Sequence, residues 1–257
     1  VASNVSISYK DNHNFAIKNI SFAASPETII SLTGSNKSGK TTLLRSVCGL
    51  ADGEGALVYG KIHCGEMAMN GIDQTNWARK VAFISDEPAS SILGLTVKDE
   101  LELLTHGNLK QSYELAMAVG LQHKYCQAVS TLSGGEIGRL VLATCLAEKS
   151  RHLLLDDATR HVDEKSCEDY AAKLSSHIKD QKLSLVVSDK RLLAYLGKSV
   201  SFSLDLTSSK RRLSTTENSE VMDTRSFANT QVQANTQKTI AELKDATILS
   251  TDGSKLF

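Results

Sequence analysis

The chain has 257 residues, 41% of them hydrophobic and 23% charged, with 29 basic side chains balancing 29 acidic ones. That is ordinary for a globular chain and lacks the basic excess that nucleic-acid binding uses, so no nucleic-acid partner is expected. No apolar run reaches the roughly 18 residues of a membrane span. The five cysteines, Cys48, Cys64, Cys126, Cys145 and Cys167, make no CxxC pair and no metal-ligand spacing, which argues for reduced thiols.

In chain order, the first strand pattern is the alternating "VSISYKD", which carries Tyr9. An apolar strand from Ile29 to Thr33 then runs into Gly34-Ser35-Asn36-Lys37-Ser38-Gly39-Lys40-Thr41-Thr42, followed by a helix pattern. This is G-x-x-x-x-G-K-[ST] in its strand–loop–helix setting, the signature of a loop that cradles phosphates. Glycines let the backbone curl so that successive N–H groups point inward, and the helix adds its positive end. Lys40 is placed to reach β- and γ-phosphates, and the Thr41 hydroxyl to hold Mg²⁺.

The strand "KVAFIS", 80–85, leads to Asp86-Glu87-Pro88. Helix patterns follow at "TVKDELELL" and "SYELAMAVGL". Leu132-Ser133-Gly134-Gly135-Glu136 then precedes an amphipathic helix, 137–149. Ser133 and Glu136 form a capping box, which by itself is an ordinary helix start. The next apolar run, in "HLLLDDATRHVD", stops at two adjacent carboxylates, Asp156 and Asp157. Open α/β sheets place their chemistry just past strand ends. One more strand, "LSLVVS", 183–188, is followed by Asp189.

LSGGE between a phosphate loop and an apolar strand ending in Asp resembles the nucleotide-binding domain of ABC ATPases, over residues 1–205. The stretch "SSILGLTVKDELELL" resembles the ATPases of energy-coupling-factor importers. The resemblance implies an α/β fold: a P-loop NTPase core of mostly parallel sheet flanked by helices, an antiparallel β-subdomain, and a helical subdomain, about 90–150, that carries the signature. It implies ATP and Mg²⁺ as ligands. Tyr9 would stack on adenine and Asp156 would bind Mg²⁺ through water. Asp163 matches the end of the D-loop, the turn after the Walker B strand. A head-to-tail dimer is implied, in which Ser133, Gly134, Gly135 and Glu136 complete a partner's site in trans. A second ABC domain and transmembrane transporter subunits are the implied partners. The implied location is cytoplasmic, in peripheral association with the cytoplasmic face of a membrane, and Asp86 to Val97 is the expected docking surface.

Three positions depart from that family's pattern. The catalytic base, usually Glu, is Asp157, which is one methylene shorter. Misplacing a reacting group by about 1 Å can cost on the order of 10²-fold in rate. The switch histidine is Asp189, which when ionised can only accept hydrogen bonds and would repel phosphate oxygens. The Q-loop glutamine is Asp86, which could ligate Mg²⁺ but not orient water as an amide does. Lys37 also replaces a usual glycine where the backbone is expected to need φ > 0. Ala158 and Arg160-His161 replace the usual Pro and Ser-Ala. The expectation is a site that binds Mg–ATP and hydrolyses it slowly or not at all.

Residues 206–239 read as a polar linker, and 240–257 as the opening strand of a second ABC domain, because "ATILSTDGSKLF" parallels "VSISYKDNHNFA" with Asp252 at the offset of Asp11. A segment that folds back on this domain is the alternative. Competing functions are a soluble tandem ABC ATPase acting on ribosomes or nucleic acid, and a non-hydrolytic ATP-gated scaffold.

Overall fold

The structure is a computed structural model, and it describes residues 1–9, 15–51, 53, 55–69, 74–147, 150–160, 162–206, 213–215 and 221–222. Asp11, His161, most of the expected linker and the expected second-domain strand at 240–257 lie outside the described residues. Among the described residues, no helix is long and apolar enough to cross a membrane.

Two sheets carry the fold. The smaller is antiparallel and pairs β1 (Ala2–Tyr9) with β2 (Phe15–Phe22) on one side and β4 (Ala56–Cys64) on the other, with the short β5 (Met67–Ala68) beyond β4. The larger has a parallel core in the order β9 (Phe202–Asp205), β3 (Ile29–Thr33), β8 (Ser184–Val187), β7 (His152–Leu155), β6 (Val81–Ile84). Two antiparallel strands, β10 (Leu213–Thr215) and β11 (Val221–Met222), extend the β9 edge from within the stretch read as linker. The unpaired backbone groups of an edge strand invite such an addition.

The core strands are short apolar runs because both faces are covered. Their side chains alternate. Leu153, Leu155, Leu185 and Val187 enter a core with Leu140, Tyr170 and Leu174. Leu154, Val186, Ile30 and Leu32 enter a second core with Ile7, Ile17 and Leu43. Each such fully buried aliphatic side chain contributes about 1.5–3 kcal/mol. The first core is built by α3 (Val97–Leu104), α4 (Leu109–Ala118), α5 (Gly134–Ala147), α6 (Glu164–Gln181) and α7 (Lys190–Leu196). The second is built by α1 (Lys40–Val47), the short α2 (Gln74–Ala78) and the antiparallel sheet.

Polar caps start the helices where the sequence places them. Thr96 and Asp99 form a capping box on α3, and Asn108, Asp163 and Asp189 cap α4, α6 and α7. The parallel register then sets which strand ends lie side by side. Ser31, Val187, Leu155 and Ile84 lie level across β3, β8, β7 and β6. Two residues further along each chain are Thr33, Asp189, Asp157 and Asp86, so three aspartates arrive at one sheet edge beside the start of the phosphate loop.

Candidate functional site

The phosphate loop leaves β3 and turns into α1. Gly34 has φ 150° and Gly39 φ 95°, and a Cβ at Gly39 would stand 2.5 Å from Ile17 Cδ1, so the loop needs glycine there for both angle and space. Lys37 sits at φ 65°, in line with the left-handed conformation that the sequence reading expects at this position. A lysine holds that angle at some cost in strain. Lys40 Nζ donates to the carbonyls of Gly34 (3.1 Å) and Ser35 (2.9 Å), which folds the ammonium over the loop. The Ser38 hydroxyl is buried with no hydrogen-bond partner. Tyr9 lies at the end of β1, and its hydroxyl pairs with Thr42 Oγ1 at 3.1 Å, which ties the aromatic ring to α1. Thr42 thus directs its hydroxyl at Tyr9.

At the ends of β7 and β8 three carboxylates have three different environments. Asp156 is 2% exposed; its Oδ1 accepts from the Ser188 hydroxyl, and its Oδ2 is buried with no partner. Buried carboxylate oxygens are normally paired, so an orphan here points to a cation or water that belongs beside it. Asp157 is exposed and has φ 43°, a left-handed angle that an aspartate tolerates better than most residues. Its carboxyl is pushed above the usual carboxylate range by loss of water, then by the charges of Asp189 and Asp156, with Lys40 pulling the other way and Asp86 adding to the rise. Asp189 is also 2% exposed, but both its oxygens are filled. Oδ2 accepts from Thr159 N (2.7 Å) and Thr159 Oγ1 (2.5 Å), and Oδ1 accepts from Arg191 N (2.9 Å) and Leu192 N (3.1 Å).

Asp86, half-buried at the end of β6, lies 3.9 Å from Arg160 Nη1. At that distance and exposure the pair adds little stability. Sequence reasoning named Asp189 but missed Thr159 as its partner; the only signal was a hydroxyl residue in the turn after β7.

The signature stands at the start of α5, away from this cluster: among the described residues no hydrogen bond or ion pair joins Ser133–Glu136 to the phosphate loop. Glu136 Oε2 accepts from Ser133 N (2.9 Å) and Ser133 Oγ (3.1 Å), and Lys124 lies 3.7 Å from its other oxygen. The bond from the Ser133 backbone is the largest cause that lowers the Glu136 carboxyl below its ordinary range. Ser133 and Gly134 are exposed. A Cβ on Gly135 would come within 2.8 Å of Asp163 Oδ2, and one on Gly138 within 2.3 Å of Val162 Cγ2, so α5 seats directly on the turn that follows β7.

Two further surfaces flank the helical part. Glu100, buried at 5% exposure, accepts from the backbone of Leu93 (2.9 Å) and Gly94 (2.7 Å). A Cβ on Gly94 would meet the Glu100 backbone at 2.3 Å. This fixes a loop that holds Leu93 and Leu95 out at 80% and 83% exposure. A groove of about 1020 Å³ lies between the end of α1, α2, α3 and α5, lined by residues that include Leu50, Ala78, Arg79, Leu103 and Thr144. A recess of about 240 Å³ shares Leu50, Ala78 and Thr144 with it and reaches Ala82, Phe83 and Ile84 on the strand that leads to Asp86.

Residues 17–160 match the ABC transporter family. The energy-coupling factor transporter ATP-binding protein EcfA1 of Streptococcus pneumoniae serotype 2 is 27% identical over 71% of this chain and 68% of that protein. The zinc import ATP-binding protein ZnuC of Rickettsia bellii is 30% identical over 66% and 67%. A putative ABC transporter ATP-binding protein of Brucella suis is 32% identical over 71% and 75%. Among solved structures, the dimeric structure of MJ0796, a bacterial ABC transporter cassette, superimposes with a TM-score of 0.68 at 19% identity, over 84% of this chain and 98% of that one. The post-hydrolysis dimer of MJ0796 bound to ADP and Pi gives 0.69 at 20%. The family match spans more than half of the chain, and its motifs stand at the strand ends and helix start described above: the chain belongs to the ABC transporter family, as an ATP-binding domain.

Proposed function

We propose that this domain serves a membrane importer, that its own site holds Mg–ATP but hydrolyses it slowly or not at all, and that its signature completes the site of a second ABC domain in a head-to-tail dimer. Relatives named for energy-coupling-factor and zinc import support the importer reading. MJ0796 solved as a dimer supports the pairing.

The residues present fit the nucleotide and its metal. The glycine loop and Lys40 bind the β- and γ-phosphates, and Tyr9 takes the adenine. The buried orphan oxygen of Asp156 would hold the metal, with the Thr41 hydroxyl and Asp86 as further oxygen donors. Mg²⁺, when bound, neutralises charge on the phosphate oxygens. What the site lacks is the means to activate water. Asp157 stands at the base position with a short reach, Asp86 offers no amide, and Asp189 is turned to Thr159 and the start of α7. The observation that carries the reading is this contrast of an intact phosphate loop with three aspartates at the sheet edge. Leu93, Leu95 and the groove beside α3 are the faces offered to transmembrane subunits; the groove extends the surface expected from 86–97 alone.

Asp157→Asn is the test, made in the assembled transporter. The expected outcome is at most about a twofold change in its ATP turnover. A collapse on the order of 10²-fold, as removal of a working general base produces, would refute the degenerate site.

A further inference from the structure

We infer that Asp189 is a positioning residue: together with Arg191 it clamps Thr159, and so the whole turn after β7, in one place whether or not nucleotide is bound. The inference rests on the reading above in one respect, that this turn and the signature serve a partner's site.

A carboxylate has about four lone-pair positions. Asp189 has all four taken, two by the Thr159 backbone N–H and hydroxyl and two by the first turn of α7. Arg191 closes the ring by donating from Nη1 to the Thr159 carbonyl at 3.0 Å. The N–H, C=O and hydroxyl of this fully buried residue therefore all bond to one short stretch, 189–191, and its C=O also accepts from Val162 N at 3.0 Å. A neutral histidine at 189 would present one donor and one acceptor, and could accept only one of the two Thr159 bonds. The aspartate thus exchanges the ability to donate to a phosphate for a double hold on the turn.

The hold passes onward by contact. Val162, 4% exposed, meets α5 at Gly138, and Asp163 meets it at Gly135 inside the signature. Fixing Thr159 therefore fixes the floor on which Ser133–Glu136 stand. No member of this series from Asp189 to Gly135 belongs to the phosphate loop, so its position is set without nucleotide. A domain whose own site does not turn over gains from this: it presents a preset surface rather than one that moves with its own nucleotide.

Amide hydrogen exchange at Thr159, Arg160 and Val162 in the full chain, without nucleotide and with saturating Mg–ATP, tests the clamp. Slow exchange is expected in both states, within about twofold of each other. Thr159→Val keeps the shape but removes the hydroxyl, and Arg191→Ala removes an exposed side chain. Each is expected to speed exchange there about 5- to 30-fold, as loss of one buried hydrogen bond does, without altering exchange in α4. Thr159→Ser is expected to restore the slow rate. Mg–ATP affinity, followed with a fluorescent ATP analogue, is expected to stay within about twofold in all three. The clamp is overturned if Mg–ATP slows wild-type exchange tenfold or more, if Thr159→Val exchanges like wild type, or if Thr159→Ser fails to rescue. Rapid turnover at this domain's own site would instead overturn the proposed function, and the nucleotide-free comparison of variants would still judge the clamp.

Discussion

Asp156 and Asp189 end neighbouring strands, are equally buried at 2% exposure, and have opposite fates. One oxygen of Asp156 takes the Ser188 hydroxyl and the other has nothing. Both oxygens of Asp189 are fully occupied by the protein. A buried carboxylate costs several kcal/mol in desolvation unless something compensates it. Asp189 is compensated by the fold, so its removal should damage the fold. Asp156 has an oxygen with no partner in the fold, and under the proposed function it serves the metal, so its removal should damage binding. Residue type alone does not separate the two; their partners do.

The largest break in that contrast is Asp189→Ala, which removes a helix cap and strands the Thr159 N–H. It should lower unfolding free energy by about 3 kcal/mol in urea titrations, while Asp156→Ala, which strands only the Ser188 hydroxyl, should cost about 1 kcal/mol. Asp156→Asn should weaken ATP binding about 10- to 100-fold with Mg²⁺ and less than about threefold in EDTA, read by fluorescence titration. Next comes His152, whose pKa is lowered to about 4 by burial, with Arg151 adding to the effect. Its imidazole is held neutral beside the Ser184 hydroxyl at 2.7 Å. The folded value lies below the ordinary 6.5, so stability is full above pH 6.5 and falls as pH drops toward 4. That loss should be on the order of 2 kcal/mol and should be absent in His152→Gln, measured by thermal melts across pH. Smallest is Ser188→Ala, which should cost about 1 kcal/mol in stability and shift Mg²⁺-dependent ATP affinity by about fivefold.

Much of the site could be read from residue order. The phosphate loop, the signature and the strand-end aspartates sit where apolar runs meet polar turns, and those runs are short because they are buried on both faces. The positive φ of Lys37 was also legible, because a glycine pattern marks a backbone requirement. The partners of Asp189 were not. Thr159 lies thirty residues away in sequence, and two of its three bonds to 189–191 use backbone atoms, which carry no sequence signature. The same holds for Glu100, an ordinary acidic helix residue by pattern, whose carboxylate is buried to hold Leu93 and Gly94. β10 and β11 were hidden for another reason: a polar stretch can add to a sheet edge through backbone pairing alone.

A site that keeps binding but lacks turnover separates the two in a single sample. Mg–ATP binding and phosphate release should be followed together on the purified chain, with Lys40→Ala as the non-binding reference. Saturable Mg²⁺-dependent binding that Lys40→Ala abolishes is expected, with phosphate release no faster than in that variant. Release on the order of 1 s⁻¹ per site that disappears in Asp157→Asn would contradict it.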